Sequence, residues 1–189
     1  GSRTFPFVAK ATGVPLARIA ARLSLGDKIS ELNIPEPQTE AVCVKAPVFP
    51  FIKLRGLDPA PGPEMKSTGE VMGSHVRASA AYLKARLATE LPVPTEGGVY
   101  VTVKNADKHD VIPLVQELED MGFTIYATRG TAHVLRDSGG IDVNTCYRIT
   151  EGLTPDALDL MRQGKINLII NTPRNTGGAV LDGNMMRRL

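Results

Sequence analysis

The chain has 189 residues, which is enough for one large domain or two small ones, each with a hydrophobic core. Hydrophobic residues (42%) and charged residues (22%) occur at ordinary globular frequencies, and a net charge of +2 is too small to favour a nucleic-acid partner. No signal peptide and no membrane-spanning apolar run is evident, so we expect a cytoplasmic protein without a membrane partner. Cys43 and Cys146 are expected to be buried thiols rather than a disulfide.

Residues 1–94 carry an irregular set of predicted elements. Apolar residues recur at helical spacing in PLARIAARLSLG (15–26), and a second helix is predicted in SHVRASAAYLKARLA (74–88). Between them, EAVCVKAPVFPFIKL (40–54) is strand-like, with prolines at 47 and 50 that suit an edge or a bulge. Because these elements do not add up to a closed core, we expect the tail of a larger domain. A linker rich in proline and glycine follows at LATELPVPTEGG (87–98).

Residues 95–189 alternate regularly between strands and helices. Strands are predicted at 98–103, 123–128, 145–149 and 166–172, and helices at 107–122, 131–139 and 154–164. This alternation predicts an α/β fold with a small doubly wound parallel sheet and right-handed crossovers. Pro113 either delays the start of its helix to about Asp110 or kinks that helix. The apolar run from Ile166 to Ile170 is typical of a central strand covered on both faces.

Cations, hydroxyls and an amide follow the carboxyl ends of the four predicted strands. These residues are Lys104 and Lys108, then Thr128, Arg129, Gly130 and Thr131, then Arg148, and finally Asn171, Thr172 and Arg174. Ligands of such sheets bind at this edge, and the helix predicted from about Thr131 would point its N–H groups there. Gly130 would let the backbone approach closely, and Asp107 is the one carboxylate in these loops. The sequence therefore favours a phosphate site over the alternative that each residue is a solvated loop tip.

Three segments resemble the carboxyl-terminal end of the large subunit of carbamoyl phosphate synthetase. They are RTFPFVAKATGVPLARIAAR (3–22), LRGLDPAPGPEMKSTGEVMG (54–73) and ATRGTAHVL (127–135). The resemblance covers nearly the whole chain. It implies that residues 1–94 are the α+β tail of the ATP-grasp domain that phosphorylates carbamate, with a linker. It implies that residues 95–189 are a methylglyoxal-synthase-like allosteric domain, truncated at its end, whose effectors in bacterial members include UMP and IMP.

The resemblance also implies an activity for the parent enzyme. Carbamoyl phosphate synthetase is an ATP-dependent ligase that uses bicarbonate, glutamine-derived ammonia and ATP, with Mg or Mn, for pyrimidine and arginine synthesis. Its large subunit associates with a glutaminase small subunit and with other large subunits. Because the family's ATP-grasp metal ligands lie upstream of SRTFPF (2–7), we expect neither a catalytic residue nor a metal or cofactor in this fragment.

The family's effector-phosphate residues can be matched one at a time. Lys108 corresponds to the lysine after the first strand, Thr128 and Thr131 to the threonines of the strand-to-helix turn, and Asn171 to the asparagine that closes the fourth strand. Arg148 stands where the family has lysine, which exchanges an ammonium group for a planar fork. Pro173 stands where the family has a threonine, and Thr172 or Thr176 could compensate. The resemblance thus implies an effector phosphate site made of Lys108, Thr128, Gly130, Thr131, Arg148, Asn171 and Thr172.

Two positions in the first half bear on other family features. Members that respond to ornithine have a glutamate after the lysine matched by Lys45, where this chain has Ala46, so we expect no ornithine control. Glu70 resembles a residue that lines the interior passage for carbamate, with a glutamate at the start of a helix as the alternative.

Two other functions are open for residues 95–189. Methylglyoxal synthase is a lyase of the same small fold, and it uses a histidine after its first strand with aspartates as acid and base. Here VTVKNADK (101–108) has no histidine, and His133 within a predicted helix is more typical of a surface or packing residue. The domain could instead be a subunit-contact module that binds no ligand.

Overall fold

The computed structural model describes residues 3–38, 40–49, 63–89, 93–172 and 178–188. The chain divides into two compact units near residue 93. We call them the amino-terminal unit and the carboxyl-terminal unit. Residues 50–62, which include the whole of LRGLDPAPG (54–62), and residues 90–92 of the predicted linker lie outside the described residues.

The amino-terminal unit combines helices with a two-stranded antiparallel sheet. Its elements are α1 (Thr4–Thr12), α2 (Leu16–Ser24), β1 (Val42–Val48), β2 (Gly69–His75) and α3 (Ala78–Leu87). The two strands pair along their whole lengths, from Val42 opposite His75 to Val48 opposite Gly69. Helix α3 packs on this sheet. The buried hydrophobic residues in the described part of this unit are small ones, Val14, Ala46, Ala81 and Ala85.

Two elements of this unit were not predicted from the sequence. Helix α1 has Pro6 in its first turn, where the missing N–H is not needed, and it ends at Gly13 with φ of 75°. Strand β2 occupies residues that carry no alternating pattern, and it forms because β1 supplies its hydrogen-bonding partner. Glu70 lies in β2, so the alternative that it starts a helix is wrong.

The carboxyl-terminal unit is an α/β fold around a four-stranded parallel sheet. Its elements are β3 (Gly98–Val103), α4 (Ile112–Asp120), β4 (Thr124–Thr128), α5 (Arg129–Gly139), β5 (Val143–Cys146), α6 (Ala157–Arg162), β6 (Leu168–Thr172) and α7 (Gly178–Arg187). Short 3₁₀ turns occupy Asn105–Asp107 and Ile149–Glu151. The strand order is β5-β4-β3-β6, and all pairings are parallel. The predicted fold class is confirmed.

Helices cover both faces of this sheet, as the alternation along β3 requires. Val99, Val101 and Val103 belong to one core cluster, together with buried residues of α4 and α5. Tyr100 belongs to a second cluster with buried residues of α6 and α7. Because successive side chains of a strand point to opposite faces, one strand contributes to both cores.

The structure corrects two predicted positions in the carboxyl-terminal unit and decides between two alternatives for Pro113. The apolar run at Ile166–Ile170 was expected to be central, but in the described residues β6 pairs with β3 alone and every residue of β6 is only half-buried. An apolar run in a sequence does not distinguish a central strand from an edge strand, because it carries no information on how many strands pair with it. The third strand ends at Cys146 rather than at Ile149. Pro113 lies in the first turn of α4, so it delays that helix and does not kink it.

The contact between β2 and α3 generates a prediction for stability. A Cβ atom added at Gly73 would lie 2.0 Å from the carbonyl oxygen of Ala81 and 2.4 Å from the nitrogen of Ala85. We expect Gly73→Ala to lower the free energy of unfolding of this unit by about 1–3 kcal/mol, the usual cost of overpacking. The change in the free energy of unfolding is measured by urea titration with hydrogen exchange of β1 and β2 peptides as the readout.

Gly69→Ala is the matched control in the same strand, because nothing lies within 4 Å of its added Cβ. Equal effects of the two substitutions would contradict the proposed close contact of α3 with β2.

Candidate functional site

A cavity of about 140 Å³ lies at the carboxyl ends of the parallel strands. All seven residues of the predicted phosphate site line it: Lys108, Thr128, Gly130, Thr131, Arg148, Asn171 and Thr172. Lys104, also expected at a strand end, lines the cavity as well, and six lining residues were not expected from the sequence: Thr102, Val103, Asn105, Gly178, Asp182 and Met186. The structure therefore brings the expected residues of four chain segments together and adds residues of a fifth, α7.

Strand β4 passes directly into helix α5 at this cavity. Thr128 is both the last residue of β4 and the N-cap of α5, so the helix begins two residues earlier than predicted. The Thr128 side chain forms no capping hydrogen bond; its hydroxyl donates to Thr131 Oγ1 at 3.5 Å instead. Both threonines are buried, with 5% and 2% of their surface exposed. The first N–H groups of α5 thus have no side-chain cap and remain available to an anion.

Lys108 reaches the start of α5 from the end of β3. Its ammonium group donates to the carbonyl oxygen of Gly130 at 2.7 Å. A Cβ atom at residue 130 would lie 3.1 Å from Lys108 Nζ, so glycine leaves room for the ammonium group. Gly130 has a helical backbone conformation. Glycine is therefore suited to this position because it leaves space for the Lys108 side chain, and not because the backbone is left-handed.

The ends of β3 and β6 form another wall of the cavity. The Lys104 N–H donates to the carbonyl oxygen of Thr172 at 2.9 Å and to its Oγ1 at 3.1 Å. Asn171 lies opposite Thr102 in the strand register, and Gly183 of α7 comes close to it, since an added Cβ there would be 3.0 Å from Asn171 Nδ2. The Lys104 ammonium pairs with Asp107 at 3.4 Å, whereas Lys108 and Arg148 line the cavity from separate loops.

Arg148 lies in the loop that follows β5. Its N–H approaches Glu151 Oε2 at 3.4 Å, and Glu151 Oε1 accepts a hydrogen bond from Arg129 at 3.0 Å. That hydrogen bond from Arg129 lowers the pKa of the Glu151 carboxyl. The Arg129 guanidinium also lies 5.5 Å from the centre of the Tyr147 ring. Arg129 was expected among the cations of the anion site, but it is not a lining residue of the cavity and is paired with Glu151 instead.

A buried carboxylate, Asp182, lines the cavity. It lies on α7, has 8% of its surface exposed, and its Oδ1 accepts the Thr150 N–H at 3.0 Å. Burial raises the pKa of Asp182, while the hydrogen bonds from Thr150 oppose that rise. Asp107 was the one carboxylate expected at the strand ends, but Glu151 lies in the loop after β5 and Asp182 comes from a later helix. No pattern in GAVLDGNMMR (178–187) signalled it.

Cys146 and His133 do not line the cavity. Cys146 is buried and Cys43 is only half-buried, so the expectation of two buried thiols is wrong for Cys43. Burial raises the pKa of the Cys146 thiol to about 12. His133 is on the outside of α5, with 76% of its side chain exposed, and it lies 2.9 Å from Asp137. Pro173, Arg174 and Thr176 lie outside the described residues.

The described part of the chain has neither a metal-binding cluster nor a membrane-spanning helix. No group of three His, Cys, Asp or Glu side chains in that part could hold a metal ion. No helix there combines the length and the apolar character that crossing a membrane requires.

Comparison with known proteins gives the class of the carboxyl-terminal unit. Residues 110–189 match the MGS-like domain family. This unit is therefore an MGS-like domain, with its cavity at the carboxyl ends of the strands.

The chain as a whole resembles carbamoyl phosphate synthase large chains. It is 47% identical over 189 residues to that of Archaeoglobus fulgidus. It is 45% identical over 193 residues to the carbamoyl phosphate synthase large chain, C-terminal section, of Methanopyrus kandleri, and 42% identical over 198 residues to the C-terminal section of Methanocaldococcus jannaschii. Each match includes 99% of this chain, which spans 17%, 35% and 32% of the three relatives. The chain belongs to the carbamoyl phosphate synthase large chain family and corresponds to its carboxyl-terminal section.

The raised pKa of Asp182 predicts a pH-dependent cost to stability. Because the folded state disfavours the charged carboxylate, stability is lost as the pH rises through the folded-state pKa. Asp182→Asn keeps an acceptor for Thr150 and removes the charge. We expect the free energy of unfolding of the variant, relative to the wild type, to rise between about pH 4 and pH 7. Urea titrations at several pH values measure this difference.

Asp120→Asn controls for the loss of one negative charge, since Asp120 is an exposed carboxylate at the end of α4. A difference between Asp182→Asn and the wild type that stays constant with pH would contradict the burial of a charged Asp182.

Proposed function

We propose that the carboxyl-terminal unit binds a regulatory nucleotide, UMP or IMP, through its phosphate group in the cavity at the strand ends. The observation that carries this proposal is the convergence of Lys108, Arg148 and the uncapped start of α5 on one cavity. Helix N-termini and adjacent cations stabilise phosphate, and the helix terminus contributes about 0.3–1 kcal/mol when it is exposed.

The arrangement suits a phosphate ester better than a larger polyanion. The cavity of about 140 Å³ has a cation from each of two loops, buried threonine hydroxyls and backbone donors, all of which favour a compact tetrahedral anion. Asp182 also lines the cavity, and its carboxylate would repel a second anionic group. The cavity therefore favours a ligand with a single phosphate.

We propose that the parent protein makes carbamoyl phosphate from bicarbonate, glutamine-derived ammonia and ATP, with Mg or Mn, in the cytoplasm. The support is the similarity to relatives named carbamoyl phosphate synthase large chain, of which this chain covers a part. A glutaminase small subunit and other large subunits are the proposed partners. Pyrimidine and arginine synthesis are the proposed pathways.

Within that parent, residues 1–94 are proposed to be the end of the carbamate-phosphorylating ATP-grasp domain. Glu70 is half-buried, pairs with Lys45 at 3.4 Å and lines a cavity of about 330 Å³ together with Phe7 and Met72. A paired, partly buried carboxylate beside a cavity is compatible with the proposed passage for carbamate. Ala46, at 8% exposure, leaves no carboxylate for an ornithine amine at its position.

Asp182 gives one specific reason to test a second function, that of a methylglyoxal-synthase-like lyase. A buried carboxyl group beside a phosphate cavity could serve as an acid or a base. The residue that follows β3 is Lys104, however, and His133 does not line the cavity. We therefore expect no methylglyoxal from dihydroxyacetone phosphate and no ATP-dependent carbamate phosphorylation by the purified fragment. Turnover that survives repurification, measured colorimetrically or by coupled assay, would refute this expectation.

The phosphate site is tested by calorimetric titration with UMP, IMP and inorganic phosphate. Lys108→Ala should weaken binding about tenfold, the low end for a charge-assisted hydrogen bond, because Lys108 is only half-buried. It should also flatten the salt dependence of binding. Thr131→Ala should weaken binding about threefold, because the backbone N–H groups of α5 remain.

Lys165→Ala is the matched control, an exposed lysine that precedes β6 at the opposite edge of the sheet. Unchanged nucleotide affinity in Lys108→Ala, or no nucleotide binding by the wild type at millimolar concentration, would exclude this site. Binding of none of these anions would favour the contact-module alternative.

A further inference from the structure

The loop that carries Arg148 is fixed to the structure at its start. Tyr147 follows β5, forms an isolated parallel bridge with Asp156 and donates its N–H to the carbonyl oxygen of Pro155 at 3.1 Å. The chain then turns through the 3₁₀ segment Ile149–Glu151 and leaves it at Gly152, whose φ of 66° favours glycine. Arg148 is thus held between a bridged residue and a tight turn.

Glu151 joins this loop to the start of α5 with both of its carboxylate oxygens. Oε1 lies 3.0 Å from Arg129 Nη2, and Oε2 lies 3.4 Å from the Arg148 backbone nitrogen. The Arg129 guanidinium also lies over Tyr147, the residue before Arg148, at 5.5 Å from the ring centre. Two contacts of Arg129 therefore flank Arg148 without reaching into the cavity, since neither Arg129 nor Glu151 is a lining residue.

Helix α7 holds the same loop from its other side. Asp182 Oδ1 accepts the N–H of Thr150, and an added Cβ at Gly178 would lie 3.0 Å from Thr150 Oγ1. The loop is consequently constrained between α5 and α7, and the Arg148 side chain lines the cavity between them.

We propose that Arg129 and Glu151 are positioning residues that hold Arg148 at the anion site. This inference rests on the proposed binding of phosphate at that site. An exposed ion pair contributes little to the free energy of unfolding. It can still restrict a loop whose arginine would otherwise lose more conformational entropy on binding a ligand.

The negative charge of Glu151 makes it possible to distinguish a positioning role from a purely electrostatic effect on anion binding. A negative charge near an anion site opposes anion binding, so removing it should strengthen binding if Glu151 acts only through its charge. If Glu151 positions Arg148, removing it should weaken binding. The two roles therefore predict opposite signs for the same substitution.

The test is calorimetric titration of inorganic phosphate into the wild type and into Glu151→Ala. We expect the variant to bind phosphate about threefold to fivefold more weakly, the scale of an exposed ion pair. In an Arg148→Ala background, Glu151→Ala should have no further weakening effect, because its action passes through Arg148. Asp137→Asn, which removes an exposed negative charge from α5, should not weaken binding.

Thermal unfolding monitored by circular dichroism establishes that the Glu151 variant remains folded. Phosphate affinity that is equal or higher in Glu151→Ala would overturn the positioning role while leaving the anion site intact. Equal weakening by Glu151→Ala with and without Arg148 would also overturn it. Failure of the wild type to bind phosphate would instead overturn the proposed function, and this inference with it.

Discussion

The direct passage of β4 into α5 at Thr128 is the constraint on which the candidate site depends. Because no loop separates the strand from the helix, the uncapped start of α5 lies at the carboxyl edge of the sheet. Parallel pairing then brings the ends of β3, β5 and β6 to the same edge. The buried pair Thr128 and Thr131 fixes this junction within the core, so the backbone donors are held in place before any ligand arrives.

The charges around the cavity are balanced rather than uniformly positive. Lys104 is paired with Asp107, Arg129 is paired with Glu151, and Asp182 contributes a carboxylate from α7. Lys108, Arg148 and the paired Lys104 are the cations that line the cavity. Such a balance favours selectivity for one compact anion over general attraction of polyanions, in agreement with the small net charge of the chain.

The sequence could predict most of the residues that line the cavity because they end or follow a strand in a regular alternating pattern. Thr128, Arg148 and Asn171 needed only the positions of strand ends and the rule that parallel strands end at one edge. Asp182 could not be found this way, since it comes from a helix whose packing on the sheet has no local signal. Arg129 was wrongly expected at the anion site, because the direction of its side chain depends on a partner, Glu151, that is distant in sequence. Dependence on distant partners also explains why β2 was not predicted and why β6 was expected to be central. Strand β2 forms by pairing with β1, and the edge position of β6 depends on which strands lie beside it.

The most direct test of the central claim is a titration of the ¹⁵N-labelled protein with inorganic phosphate, followed by the backbone amide shifts. If the start of α5 and the neighbouring strand ends bind the anion, the largest saturable shifts will come from Gly130 and Thr131. Smaller shifts will come from Lys108, Arg148 and Thr172, and the amino edge of the sheet near Lys165 will not respond. Saturable shifts confined to other parts of the chain, or none at millimolar phosphate, would contradict this assignment of the site.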